Sequence, residues 1–257
     1  MRAAALLVGA LALLELGGAA PAAQRQASKE ADVPFRIGET LTYDVTWSSY
    51  LVAGTAVTTV REKSPSLGST AYTIVAEGRP VPLVARLYTL YYRMESVLDA
   101  VSLLPQRSTL YAEEGKKRRT GITRFDRPGR RATFEEQDAA SAPASNFAIP
   151  SGTLDGLSAV YALRTRTLRA GDRVSFPVAD DGNLYDVQIA VGEPERVSVP
   201  FGATSAWKLS VDIVDAKGQP AANNAVVWMA NDARRLPVKL QAGLPVGDFV
   251  LLLREAR

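Results

Sequence analysis

Hydrophobic and polar residues alternate along many short stretches of the chain. In Thr40–Trp47, the residues Leu41, Tyr43, Val45 and Trp47 fall on one side of an extended backbone, with threonines and an aspartate on the other. A period of two is typical of a strand with one buried face. The same reasoning predicts further strands at Val52–Arg61, Tyr72–Glu77, Tyr91–Leu98, Arg107–Glu113, Thr120–Phe125, Tyr185–Val191, Trp207–Ile213, Ala225–Ala230, Leu236–Leu240 and Phe249–Leu253.

Short turn sequences separate these stretches, among them Glu114-Gly115, Asp181-Gly182-Asn183 and Lys217-Gly218. Successive strands joined by turns form antiparallel meanders and not parallel units with crossover helices. The pattern therefore predicts an all-β, mainly antiparallel fold, with a curved sheet or half-barrel.

Two segments follow the helical period instead. Pro82–Leu90 places Leu83, Val84, Leu87 and Tyr88 on one helical face. Thr153 can cap a second helix, with Asp155 in its first turn. Its apolar stripe consists of Leu154, Leu157, Val160, Tyr161 and Leu168. The sequence predicts two short amphipathic helices.

The N-terminus has the features of a signal peptide. A basic start at Met1-Arg2 precedes the apolar run Ala3–Leu14, and Ala20-Pro21-Ala22 fits the small-residue cleavage rule. We expect residues 1–22 to be removed, 23–34 to form a flexible leader, and 35–257 to form a single β-rich domain in the periplasm. The apolar run is too short to span a bilayer. No transmembrane span is therefore expected after cleavage, and without a cysteine as lipid acceptor the protein is not expected to be a lipoprotein.

A weak internal sequence repeat leaves open a division of the domain into two similar halves joined near 136–150. Met94–Pro105 and Trp228–Pro237 each contain a strand, an acidic turn, Leu-Pro and a following strand. A hairpin whose proline starts the second strand gives the same pattern without any duplication.

Composition removes several kinds of chemistry. The chain has no histidine and no cysteine, which excludes the usual zinc, iron–sulfur and haem ligands, thiol nucleophiles and serine–histidine catalysis. We expect no metal and no cofactor. A net charge of +3 is too small to indicate a nucleic-acid partner. The adjacent carboxylates Glu113-Glu114, Glu135-Glu136 and Asp180-Asp181 point to opposite strand faces, so none forms a catalytic pair by itself.

Basic residues are concentrated in one segment, where they can form a basic surface. They are Lys116, Lys117, Arg118, Arg119 and Arg124, followed by further arginines up to residue 131. This strip could contact anionic lipid head groups, or it could be a solvated hairpin that protects an exposed edge.

The ordered motifs resemble the bacterial envelope family catalogued as domain of unknown function 3108. They include Gly38–Trp47, Glu95–Pro105, Ile149–Arg164 and Trp228–Pro237, and they cover nearly all of the chain after residue 35. The resemblance implies an exported β-rich protein and supplies no activity. The family prefers proline where this chain has Gly156, a departure that loosens the second helix's first turn.

A second resemblance concerns Trp228–Pro237, which is similar to the Trp-x-Asp-turn-Leu-Pro hairpin of periplasmic lipoprotein carriers. Here Asn231 intervenes before Asp232. Those carriers are half-barrels that hold acyl chains on a concave apolar face lidded by helices. If this sheet is open in the same way, the ligand-binding residues are Tyr43, Trp47, Leu83, Leu87 and Trp228. A plain β core would show the same apolar pattern.

These observations favour a non-enzymatic envelope protein that binds or carries a hydrophobic or amphiphilic ligand. Two alternatives remain: a structural or assembly module that binds another envelope protein through strand edges, and a hydrolase that uses carboxylates. A carrier needs an apolar cavity, a module an exposed edge, and a hydrolase a polar cleft.

Overall fold

A computed structural model describes residues 29–47, 51–137, 143–244 and 247–257, so the predicted signal peptide and the first part of the leader lie outside the described residues. The described chain forms strands and two short helices. The strands are β1 Thr40–Trp47, β2 Leu51–Ser66, β3 Ser69–Pro80, β4 Leu90–Asp99, β5 Pro105–Glu114, β6 Lys117–Asp126, β7 Arg131–Glu136, β8 Ser145–Ala148, β9 Arg173–Asp180, β10 Asn183–Val199, β11 Gly202–Asp215, β12 Pro220–Ala230, β13 Pro237–Leu244 and β14 Gly247–Ala256. The helices are α1 Pro82–Ala85 and α2 Gly156–Arg164.

All strands belong to one antiparallel sheet of 14 strands, in the order β8-β7-β6-β5-β4-β3-β2-β1-β14-β13-β12-β11-β10-β9. Nearly every strand pairs with its neighbour in sequence, and β1 pairs with β14, so both ends of the chain meet in the middle of the sheet. The sheet is curved and remains open between its edge strands β8 and β9. The predicted fold class is confirmed.

The connection between β8 and α2 spans the gap between the two edges. The Ile149 N–H donates to Arg130 O (2.9 Å) on the turn before β7. Leu154 forms a parallel bridge with Val178 of β9, in which the Leu154 N–H donates to Pro177 O (2.9 Å). This segment therefore links the sheet's two halves, and it leads directly into α2.

Helix α2 lies against the concave face and packs on both halves of the sheet. On one side, Leu157 and Tyr161 belong to a core cluster with Phe35, Val60, Tyr72, Ile74, Leu98 and Ala100. On the other side, Leu163 belongs to a cluster with Leu154, Leu168, Val178, Val187, Ile189, Val191, Leu209 and Met229. The helix thus connects two hydrophobic clusters that the sheet alone would leave apart.

The sequence pattern predicts Thr153 as the N-cap of α2, but in the structure the N-cap is Asp155. The Asp155 carboxylate accepts the N–H groups of Leu157 and Ser158, and Ser158 Oγ accepts the Asp155 N–H, all at 2.9 Å. Thr153 Oγ1 instead donates to Pro150 O (2.7 Å). Because this reciprocal pair satisfies the helix start two residues later than expected, Leu154 lies before the helix.

The C-terminal end of α2 is held by a buried ion pair. Arg164, whose side chain has no exposed surface, donates from Nη1 to Glu39 Oε1 (2.6 Å) and from Nη2 to Glu39 Oε2 (3.0 Å). Nη2 also donates to Arg234 O (3.1 Å) in the turn between β12 and β13. The Arg164 side chain thereby joins the helix to the segment before β1 and to the turn between β12 and β13.

Three strands were not predicted, and α1 is shorter than its pattern suggested. β7 and β8 have 6 and 4 residues, and β9 contains Pro177, which argues against a strand in sequence. Pro177 is tolerated because β9 is an edge strand and this residue faces outwards, where it contributes only its carbonyl, which accepts the Leu154 N–H. Helix α1 has four residues and buries none of them, so α2 alone covers the sheet.

Substituting Gly156 by proline should stabilise the protein. Gly156 is the first residue of α2, where the N–H has no helical acceptor, and Asp155 is extended (φ −101°, ψ 170°), as a residue before proline must be. A Cβ there would meet only Met94 Cε at 3.8 Å. We expect Gly156→Pro to raise the free energy of unfolding by about 0.4–1 kcal/mol, measured by urea denaturation.

Ala159→Pro is the matched control, since the Ala159 N–H donates to Asp155 O (2.9 Å). It should destabilise the protein by about 3 kcal/mol. Equal effects of the two prolines would contradict the assignment of Asp155 as the cap.

Removing one partner of the buried ion pair should strongly destabilise the folded protein. Glu39→Gln leaves the Arg164 charge without its carboxylate in a site closed to water, and we expect a loss of about 3–5 kcal/mol in the free energy of unfolding. Glu135→Gln, which breaks the exposed pair of Glu135 with Arg124, is the control and should be close to neutral. A near-neutral Glu39→Gln would show that water reaches Arg164.

Candidate functional site

An apolar cavity of about 370 Å³ lies between α2 and the concave face of β9–β12. The helix contributes Gly156, Ala159, Val160 and Leu163, whose spacing places them on one face. Alternate residues of the strands form the opposite wall, because side chains two apart share a strand face. They are Phe176, Val178, Val187, Ile189, Val211, Ile213 and Val227, with Ala221 at one end.

The same end of the cavity carries its polar groups, Asp180 and Tyr185. Burial raises the pKa of Asp180, and the nearby carboxylates of Asp181 and Asp155 raise it further, while Arg119 opposes them. Burial likewise raises the pKa of Tyr185, with Asp180 adding to the shift. The cavity is therefore a largely apolar space with one acidic, hydroxyl-bearing end.

Asp155 and Asp180 also border a second, much smaller void of about 10 Å³. A space of that size holds one water molecule at most. The Asp155 carboxylate is already engaged, because it accepts from Ser96 Oγ (2.6 Å) and from the helix N–H groups. Burial raises the pKa of Asp155, and these hydrogen bonds act in the opposite direction. The void between buried Asp155 and half-buried Asp180 therefore has no room for a substrate.

The sequence pattern predicts that Asp180 and Asp181 do not act as a catalytic pair, and in the structure the two residues have different environments. Asp181 has a positive φ of 50° and accepts Arg119 Nη1 with both oxygens, each at 2.7 Å. Asp180 is the last residue of β9 and faces the cavity. A recognised strand at 173–180 would have shown this, since alternation from Phe176 and Val178 places Asp180 on the same face.

The predicted ligand-binding residues do not meet around this cavity. Tyr43 and Trp228 are buried in a core cluster with Leu41, Val238 and Leu253. Tyr43 Oη donates to Pro237 O (2.9 Å), and Trp228 Nε1 donates to Glu195 Oε1 (2.5 Å).

The remaining predicted residues lie elsewhere. Leu83, in α1, and Leu87, just after it, are on the surface, and the side chain of Trp47 lies outside the described part of the structure. Alternation identifies the apolar face of a strand, but it does not reveal whether that face packs in the core or surrounds a cavity. A role of these five residues in binding stays a prediction.

The basic segment divides into paired and free-standing residues. Arg119 pairs with Asp181, Arg124 with Glu135 (2.6 Å) and Arg118 with Glu113 (3.5 Å). Lys116 and Lys117 are exposed at the turn between β5 and β6, and no ion pair of either is found among the described residues. The basic segment therefore does not form a uniformly charged surface. Its positive charges without an ion pair among the described residues are those of Lys116 and Lys117 at the turn.

Fold and cavity define a curved antiparallel sheet protein with an internal helix and an apolar pocket. The chain belongs to the family described as protein of unknown function DUF3108, whose model matches residues 42–254. No curated protein matches the chain. Among the described residues, no helix has the length and apolar character needed to cross a membrane.

Three solved structures resemble the chain at low sequence identity, and the first of them, with a TM-score above 0.5, shares its fold. A β-barrel-like protein of domain of unknown function DUF1849 from Brucella abortus is 11% identical, with a TM-score of 0.53 over 86% of this chain and 97% of that one. A candidate exported protein with a YmcC-like fold from Bacteroides fragilis is 10% identical, with a TM-score of 0.37 over 89% and 100% of the two chains. A candidate lipoprotein from Parabacteroides distasonis has the same identity and coverage and a TM-score of 0.38.

The environment of Asp180, which is half-buried and has carboxylates nearby, predicts a pH-dependent stability. Its pKa is raised in the folded state, so the folded protein binds this proton more tightly than the unfolded chain does. The contribution of Asp180 to stability therefore falls as pH rises above about 4 and levels off once pH exceeds its folded-state pKa. Asp180→Asn lacks this titration. The free energy of unfolding of this variant, minus that of the wild type, should therefore increase as pH rises. Urea denaturation at a series of pH values measures this difference.

Asp212→Asn is the control, since Asp212 is exposed on β11. Its difference from the wild type should show no such trend. A constant difference between Asp180→Asn and the wild type across the range would mean that Asp180 is well solvated.

Proposed function

We propose that this chain is an exported, non-enzymatic envelope protein that binds a hydrophobic or amphiphilic molecule in the cavity between α2 and β9–β12. The observation that carries the proposal is the cavity itself, about 370 Å³ with a predominantly aliphatic wall. Ligand sites commonly have volumes of about 300–1,000 Å³, with apolar walls and a few polar groups. Export to the periplasm is supported by the signal-peptide pattern of residues 1–22.

The cavity wall is formed by side chains that other contacts keep in place. Leu163 and Val178 are shared with the core cluster beneath, and α2 is fixed at its start by Asp155 and at its end by Arg164. A wall that is already ordered loses little conformational entropy when a ligand enters, which favours binding. This preorganisation supports a binding site over a packing defect.

The acidic end of the cavity indicates which amphiphile fits. A ligand chain would lie along Val187, Ile189 and Val211, with its head group near Asp180 and Tyr185. A carboxylate or phosphate head group would be repelled by Asp180 and Asp181, although Arg119 offsets part of this charge. A hydroxyl, amide or ammonium group would instead find hydrogen-bond acceptors. We therefore expect neutral or cationic amphiphiles to be preferred.

Filling the cavity tests the proposal. In Ala159→Trp the indole enters the cavity from the helix, and in Val211→Phe the added ring enters from the sheet. We expect the wild type to bind the neutral fluorescent amphiphile N-phenyl-1-naphthylamine in a 1:1 complex. Both variants should bind it at least tenfold more weakly, because the space is occupied. Native mass spectrometry of the wild type purified from its own cells should also show a lipid-like mass.

Ala203→Trp is the matched control, because Ala203 is exposed at the start of β11, at the opposite end of the strand from the cavity residues Val211 and Ile213. It should bind the probe like the wild type, and thermal melts should show that all variants fold. Unchanged binding in both cavity variants would place the probe elsewhere. A wild type that binds no probe and carries no ligand mass would overturn the proposal.

A further inference from the structure

The segment that contains α1 exposes an unusual concentration of large apolar side chains. Leu83, Leu87 and Tyr88 expose 70%, 83% and 52% of their surface. No residue of α1 is buried, so this segment gains nothing from the core. Exposing several large apolar groups side by side costs solubility, and such groups commonly mark a contact surface.

The turn between β5 and β6 packs against this segment. The Gly115 N–H donates to Thr89 O (2.8 Å). The ring of Tyr88 lies over Gly115 so closely that a Cβ on this residue would be 3.2 Å from Tyr88 Cε2. The next residues are the exposed Lys116 and Lys117. The five side chains Leu83, Leu87, Tyr88, Lys116 and Lys117 are called the Leu87 patch.

Charge distinguishes this patch from an ordinary apolar contact surface. Arg86 adds another exposed cation within the segment. Of the nearest acidic residues, Glu113 pairs with Arg118 (3.5 Å), whereas Glu114 accepts the neutral Tyr92 hydroxyl and keeps its negative charge, so one carboxylate stands against the cations of Arg86, Lys116 and Lys117. The free charge of the patch is therefore positive.

We propose that the Leu87 patch docks the protein on an anionic lipid surface. Leucine side chains insert into the acyl boundary, tyrosine sits at head-group depth, and lysines bind anionic head groups. The patch combines these three elements, and the complementary charge favours a bilayer over an apolar protein partner. The proposal rests on the patch alone and does not require the cavity to hold a ligand.

The meander places the patch at the same end of the sheet as the polar end of the cavity. The β5–β6 turn and the β9–β10 turn lie at this end, and Arg119 of β6 bridges directly to Asp181 of the β9–β10 turn. A docked protein would thus hold the Asp180 end of the cavity towards the membrane. Docking and ligand exchange would then occur on one surface.

Co-sedimentation with vesicles tests the docking. We expect the purified protein to bind vesicles of phosphatidylcholine mixed with phosphatidylglycerol and to bind vesicles of phosphatidylcholine alone much more weakly. Lys116→Gln/Lys117→Gln should weaken binding about fivefold for each charge removed. Leu83→Ser/Leu87→Ser should weaken it at least about tenfold, since two apolar side chains no longer insert.

Matched controls exist at the opposite end of the sheet. Leu67, in the β2–β3 turn, is 82% exposed, and Arg130 and Arg131 are exposed on the β6–β7 turn. Leu67→Ser and Arg130→Gln/Arg131→Gln should bind vesicles like the wild type. Probe binding in the cavity should be unchanged in all of these variants, which separates this proposal from the proposed function.

Three results would overturn the proposal. The wild type could fail to bind either vesicle, it could bind both equally, or the control variants could weaken binding as much as the patch variants do. The substituted residues are exposed, so loss of folding does not complicate the comparison, and a thermal melt of each variant verifies this.

Discussion

The position of α2 depends on the buried guanidinium of Arg164. Its two-pronged contact with Glu39 and its bond to Arg234 O join the helix to parts of the chain far away in sequence. The rings of Phe35 and Tyr161 lie 5.6 and 5.1 Å from the guanidinium carbon and shield the charge from water. Two charges removed from water are stable only when geometry is this good. Without this contact the helix would be held at its start, by Asp155 and the Leu154 bridge, but not at its end.

The cavity is a consequence of where small residues lie on that fixed helix. Leu157 and Tyr161 fill the side towards β3 and β4, whereas Gly156, Ala159 and Val160 face β9–β12. Large aliphatic residues at those three positions would close the space and give an ordinary core. Because the helix is held at both ends, it cannot slide across to fill the gap. A small-residue face on an immobilised helix is therefore what leaves a cavity open.

Much of the sheet could be predicted from local pattern, whereas the site could not. Alternation over Thr40–Trp47 or Tyr185–Val191 is visible in sequence because one face of each strand is buried. Strand β9 escaped because Pro177 breaks the pattern, and the same strand supplies Phe176, Val178 and Asp180 to the cavity. Trp228 and Tyr43 illustrate the converse: their apolar character was evident, but their burial in the core depends on strands brought together from both ends of the chain. Which apolar face encloses a space is set by nonlocal packing.

The arrangement of the sheet edges and of the buried carboxylates gives little support to the two alternative functions, a partner-binding module and a hydrolase. A module that binds partners by strand addition needs a free edge, but the Leu154 backbone occupies part of the β9 edge and β8 has only four residues. A hydrolase needs two carboxylates across a cleft, but Asp155 and Asp180 flank a void too small for substrate, and Asp155 is committed to the helix start. The apolar cavity and the surface at its polar end are the features on which the proposed binding function rests.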